Sequence, residues 1–591
     1  MHAALQQLQH CNRRWFALGM VGLCLAMVLI EARSQAAAPP KKPPAPTGKK
    51  PPNFQKQYDR PTAPSAPRAS LLTNEAWQNA PIMPMKSEEI DRLISRELQA
   101  DRIKPAPLTT DEQFLRRVTL DLTGKLPSAA DLTAFVADED QAKRAKVIDK
   151  LLDSDRYAHH WARYWREVIA ARVADRRGMA LANAYEKWMT LQLKNEQGWD
   201  QIARAMITAD GPCRFDDDGT HGANYFLASH LGPDAANEQA AETSRIFLGI
   251  RIQCAQCHDH PSDQWKRVQF HELAAYFARV GERPIREEKR FVGLQLMSRP
   301  RGEHTMPDKE DPKKSLLTHP RFLDGTAAGK DKSDRERRRA LADSIVNPNN
   351  YWFAGAYVNR IWGELMGQSF YQPVDDMGPG KEVVFAPVLT RLASSFRATH
   401  YDIKALFRVI MNSQTYQRQL WRGQAADVHL PFAAAYPTRL RADVLWDSLV
   451  GVLGPLLPVG KLPEAKKIQG KGPRPGNFFQ ALFKLEFGFD PSLKADEVEG
   501  SIPQALFLMN NPLLNQRMLA RGDTVLSQVL RDNKQDADAV AALYLKVLAR
   551  RPTGRELSKC RAYIKKIGNR NEAFEDILWA LINSTEFQTK R

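Results

Sequence analysis

Two thiols and an imidazole stand close together in the stretch RIQCAQCHDHPSDQW, residues 251–265: Cys254, Cys257 and His258, with His260 just beyond. Cys-x-x-Cys-His supplies from one local turn what covalent attachment of a c-type haem needs. The two S–H groups add across two vinyl groups of the porphyrin, and the imidazole binds the iron. The same side chains also include zinc-type ligands, because Cys-x-x-Cys is a common zinc half-site. They could also cycle as a reactive dithiol, or sit inert in a core. A zinc site usually draws its second ligand pair from another segment, which here means Cys213 or His271. The dithiol reading lacks a βαβ setting. Haem c is therefore the leading cofactor expectation and zinc the alternative. Asp259 and His260 are assigned to orienting the loop; Trp265 and Phe270 would wall the bound group or, equally, be ordinary core aromatics. The opposite face of the iron would be open or take a sixth ligand, for which His221, His230, His271, Met297 and Met306 are candidates.

The elements that must position this motif read as helices. SEEIDRLISRELQA places Ile90, Leu93, Ile94 and Leu98 on one face, with Ser87 as a cap. A second helix opens at Thr109 or Thr110, is broken by Gly124 and Pro127, and is followed by another from Ser128. Residues 236–253 read as a helix that delivers CAQCH at its C-terminal end. Few alternating strand patterns appear. The expected fold is mainly α: two helical domains joined by irregular polar loops, preceded by a signal peptide and a Pro/Lys-rich spacer. The boundaries are 1–36 for the signal peptide, 37–85 for the linker, 86–280 for the domain with the motif, 281–335 for a polar connection and 336–585 for the second helical domain.

The signal peptide is read from Arg13 and Arg14, the apolar run Trp15–Ile30 and the small residues that follow, with cleavage after Ala36. Uncleaved, the same run would be an N-terminal anchor. Export would leave Cys213, Cys254, Cys257 and Cys560 in an oxidising compartment, periplasmic or at the cell surface. The proline–lysine segment from Pro39 to Arg68 would then be a semi-rigid spacer toward a membrane or wall.

The formal charge is +17, of which the first 70 residues carry +8, from ten Lys/Arg less two Asp/Glu. No recognisable nucleic-acid module accompanies it, so nucleic acid is not an expected partner. A redox partner protein is. Asp216, Asp217 and Asp218 could hold calcium, but no Glu follows at the twelfth loop position, which favours a solvated turn. Nucleophile-elbow, phosphate-loop and H-E-x-x-H patterns do not occur.

Three stretches carry a resemblance: FLRRVTLDLTGKLPSAADLTAFVAD, KRAKVIDKLLDSDRYAHHWARYW and RIFLGIRIQCAQCHDHPSDQW. Together they resemble the planctomycete-type cytochrome-c-associated domain of unknown function, the PSCyt type. RRALADSIVNPNNYWFAGAYVNRIWGELMGQSFYQPVDDMG, YDIKALFRVIMNSQTYQ and IPQALFLMNNP resemble its C-terminal partner domain, the PSD type. The resemblance implies export and a haem at Cys254, Cys257 and His258, without naming a reaction. Ser262 stands where the family usually has an aromatic residue, His271 is peculiar to this chain, and Phe487–Ser501 departs from the usual pattern. Arg360, Asp375 and Asp376 are read as a buried ion-pair network, with a pocket lining as the alternative. The expected function is electron transfer by an exported haem protein. The alternatives are an exported haem- or metal-dependent oxidoreductase acting on an organic substrate, and a non-catalytic scaffold with a Cys/His clip.

Overall fold

The computed structural model describes residues 70–71, 73–173, 176–311, 313–329, 331–420, 431–456 and 475–590. The expected signal peptide and most of the spacer lie outside them. Helices dominate the described residues. Local chemistry accounts for several of their ends. Thr110 caps the helix Asp111–Thr123 in a capping box with Gln113, and Gly124 ends it. Ser128 caps Ala129–Ala137. The cap of Ser87–Ala100 is Lys86, with no side-chain bond, so Ser87 is the first helical residue and not the cap.

The connection at 281–335, expected to be irregular, carries antiparallel structure. Strands Gly211–Arg214, Arg290–Ser298 and Val280–Glu287 form one sheet with Arg290–Ser298 in the centre. His304–Pro307 pairs with Ser315–Thr318 in a second hairpin. The first hairpin turns through Glu288 and Lys289, both at positive φ. Such turns are recognisable in a sequence when Asn or Gly occupies them, and here neither does. Leu294 and Leu296 of the central strand are buried, but charged residues on the edge strand hide the alternation.

Two apolar cores organise the chain. The first draws on residues from Trp77 to Ala433, with Ala549 added, and so on both expected helical domains at once. Trp165 and Trp199 stack with centroids 4.4 Å apart, and Tyr357 from the second half lies 4.6 Å from Trp199 and 5.6 Å from Trp165. The second core is built from 440–587, with Leu120 added from the first half. Each core thus draws on both sides of 281–335. No helix among the described residues is long and apolar enough to cross a membrane.

Candidate functional site

The helix expected over 236–253 ends earlier. Ala235–Thr243 is α-helical and continues as a π-turn, Ser244–Leu248. Gly249 then takes φ +70°, and a Cβ there would stand 2.6 Å from the Met377 sulfur. Left-handed backbone and a close neighbour both require glycine at this point. The chain resumes as a short 3-10 turn, Ile252–Ala255, which anchors the motif through buried Ile252 and Ala255. Cys254 and Cys257 are exposed, free thiols, and His258 is exposed beside them.

His258 Nδ1 lies 2.7 Å from the Asp259 carbonyl oxygen. A carbonyl only accepts, so Nδ1 carries the proton and the Nε2 lone pair is left free. This is the tautomer that a metal-binding imidazole needs. Two accessible thiols with an imidazole presenting a free Nε2 form a donor set that fits a covalently held haem. Asp259 accepts from the Arg267 backbone N–H at 3.0 Å and pairs with Lys266 at 3.2 Å. The His260 N–H donates to the carbonyl of buried Trp265 at 2.8 Å. Asp259, His260 and Trp265 are thus part of the loop's own bonding.

The turn at 375–381 grips the loop from the other side. The Met377 N–H donates to the Gly249 carbonyl at 2.8 Å. The Gly380 N–H donates to Asp263 at 3.1 Å, and Lys381 donates to Ser262 at 3.0 Å. At Gly378 a Cβ would fall 1.7 Å from Asp263 Oδ2, so only glycine lets that carboxylate seat. Before the motif, Arg251 donates to Asp375 at 2.8 Å. Asp375 is wholly buried and also meets Arg245 and Arg172, each at 3.5 Å. Burial alone would raise its pKa; Arg245, Arg360, Arg251 and Arg172 together hold it below the ordinary value. The expected network therefore centres on Asp375. Asp376 instead pairs with Lys381 at 3.2 Å. Nothing local in the sequence points to the Arg251–Asp375, Asp263–Gly380 and Lys381–Ser262 contacts, each of which joins residues more than a hundred positions apart.

His271 lies beneath the motif. Its Nε2 donates to the Gln256 carbonyl at 3.0 Å, so its Nδ1, 2.9 Å from His304 Nε2, accepts from that ring. Burial lowers the pKa of both rings, that of His304 to about 4. His304 was not among the residues that spacing singled out. Of the sixth-ligand candidates, His221 is bound to Asp217 at 3.1 Å. His230 is buried with both ring nitrogens unpartnered among the described residues, 4.0 Å from Glu242. Met297 and Met306 lie on the strands Arg290–Ser298 and His304–Pro307. The three aspartates at 216–218 are spent on their own turn and on Arg214. Among the described residues no three His, Cys, Asp or Glu side chains gather as a metal cluster.

Residues 89–282 match the model of a family described as PSCyt2, Protein of unknown function (DUF1549). Residues 337–475 match PSD1, Protein of unknown function (DUF1553). Neither the curated proteins nor the solved structures contain a match.

Proposed function

The chain belongs to the proteins that carry a PSCyt domain followed by a PSD domain, and from that premise we propose that it is an exported c-type haem protein that transfers electrons to a partner protein. In this reading Cys254 and Cys257 hold the porphyrin through thioether bonds and His258 ligates the iron through Nε2. The haem, once bound, supplies a one-electron Fe(III)/Fe(II) couple. The protein's part is to hold His258 in one tautomer and to fix the loop against the 375–381 turn. The observation that carries the reading is the His258–Asp259 hydrogen bond beside two exposed, unpaired thiols. For a zinc clip, His271 would have to give up the Gln256 carbonyl and turn outward.

The test is protein matured with haem-attachment machinery, examined by its pyridine haemochrome spectrum and by haem staining of a denaturing gel. The expected result is a Soret band and a stained band on the full chain, with Cys254→Ala losing the two-thioether spectrum. Colourless protein whose two thiols both remain open to alkylation overturns the proposal.

A further inference from the structure

A second site lies away from the motif. A cavity of about 80 Å³ is bounded by Tyr164, Arg360, Glu364, Arg439, Arg441 and Lys494. Its charges do not cancel. Arg441 is matched by Asp443 at 3.2 Å and Glu364 at 3.5 Å. Glu364, the one carboxylate in the wall, is also held by Lys590 at 2.7 Å. Arg360 faces Asp375, but shares that one carboxylate with Arg245, Arg251 and Arg172. Arg360 is buried and donates to neutral partners, the Ser492 hydroxyl at 3.0 Å and the Tyr164 hydroxyl. Arg439 donates to the neutral Gln504 amide at 3.0 Å, and burial lowers its pKa with nothing acidic to offset it.

Positive charge in excess of the carboxylates in a cavity wall favours an anion from outside, and the guanidinium fork matches a planar carboxylate or a sulfate. Phe489, Leu493 and Val498 give the same cavity an apolar side. We propose that this cavity binds a small organic oxyanion, a carboxylate or a sulfate ester, with Arg360 and Arg439 as the paired donors and Lys494 at the rim. The site does not depend on the haem reading. It does touch the same polar network, since Ser492 Oγ accepts from both Arg360 at 3.0 Å and Arg245 at 3.2 Å, and Arg245 reaches Asp375.

Isothermal titration calorimetry of the full chain in low-salt buffer, with sodium sulfate, sodium acetate and sodium glucuronate, tests it. Saturable one-to-one binding is expected for at least one of the three, weakened at least tenfold in Arg439→Gln and in Lys494→Gln. Both variants should keep the parental circular dichroism spectrum, and Lys266→Gln, which does not line the cavity, should bind as the parent does. Sulfate alone binding assigns the site to sulfate esters; acetate or glucuronate alone assigns it to carboxylates. No saturable binding by any of the three, or binding unchanged in both folded cavity variants, overturns the proposal.

Discussion

Replacing Asp375 by asparagine removes a negative charge from a position that water does not reach. Four guanidinium groups then face a neutral amide. Breaking a buried ion pair from one side costs about 3–5 kcal/mol. Two features place the loss near the lower end. Arg245 keeps Glu242 at 2.6 Å, and the Arg251 side chain, 31% exposed, can regain water. A loss of about 3 kcal/mol is therefore expected, read by urea unfolding followed by tryptophan emission and circular dichroism. The pH dependence has a definite sign. The native carboxyl titrates below the unfolded one, whose pKa is about 4. Its stabilisation is fully present above that value and disappears as the pH falls through the native pKa. The gap between parent and variant should thus be flat from pH 8 to pH 5 and narrow below about pH 4. A loss under about 1 kcal/mol, or a gap that changes between pH 8 and pH 6, refutes the assignment of Asp375 as the charged centre of the network.

Gly249→Ala should cost about 2 kcal/mol, because alanine must take φ +70° and meet Met377; Met377→Ala in the same chain should recover only the steric share in a double-mutant cycle. Burial holds the pKa of His230 down to about 4 while the unfolded chain titrates near 6.5, so the unfolded chain takes the proton first. Stability should be full above pH 6.5 and fall toward pH 4 by about 3 kcal/mol, and unfolding of His230→Leu should lack that share. Asp263→Ala removes the acceptor of the Gly380 N–H and should cost about 1 kcal/mol in global stability. Hydrogen exchange should nevertheless quicken at the amides of 258–265, and unchanged exchange there would show that the 375–381 turn does not restrain the loop.

Local chemistry was legible wherever one residue decides the outcome. Thr110, Gly124 and Ser128 bound their helices because caps and breakers act within a single turn. The Cys-x-x-Cys-His spacing is equally local. The early helix end at Gly249 was harder to read, because its cause combines backbone sign with a sulfur supplied by Met377. The hairpin at 280–298 hid behind turn residues, Glu288 and Lys289, that seldom take positive φ. The clamp on the loop pairs Arg251 with Asp375 and Asp263 with Gly380. No spacing rule reaches across such separations. The cavity was visible in part: Arg360 lines it, as the alternative reading of that residue had it, but Arg439 and Arg441 carry no local signal, and Phe489, Leu493 and Lys494 reach its wall from a distant stretch.

The first core interleaves Trp165 and Trp199 with Tyr357, so neither half owns a complete interior. A chain divided after Gly329 would yield two pieces, each with an open greasy flank. Made singly, each should clump or be degraded; made together, they should find each other and rebuild the parent. The two modules would then be heritable only as a pair, and losing either would strand the other without a folded form.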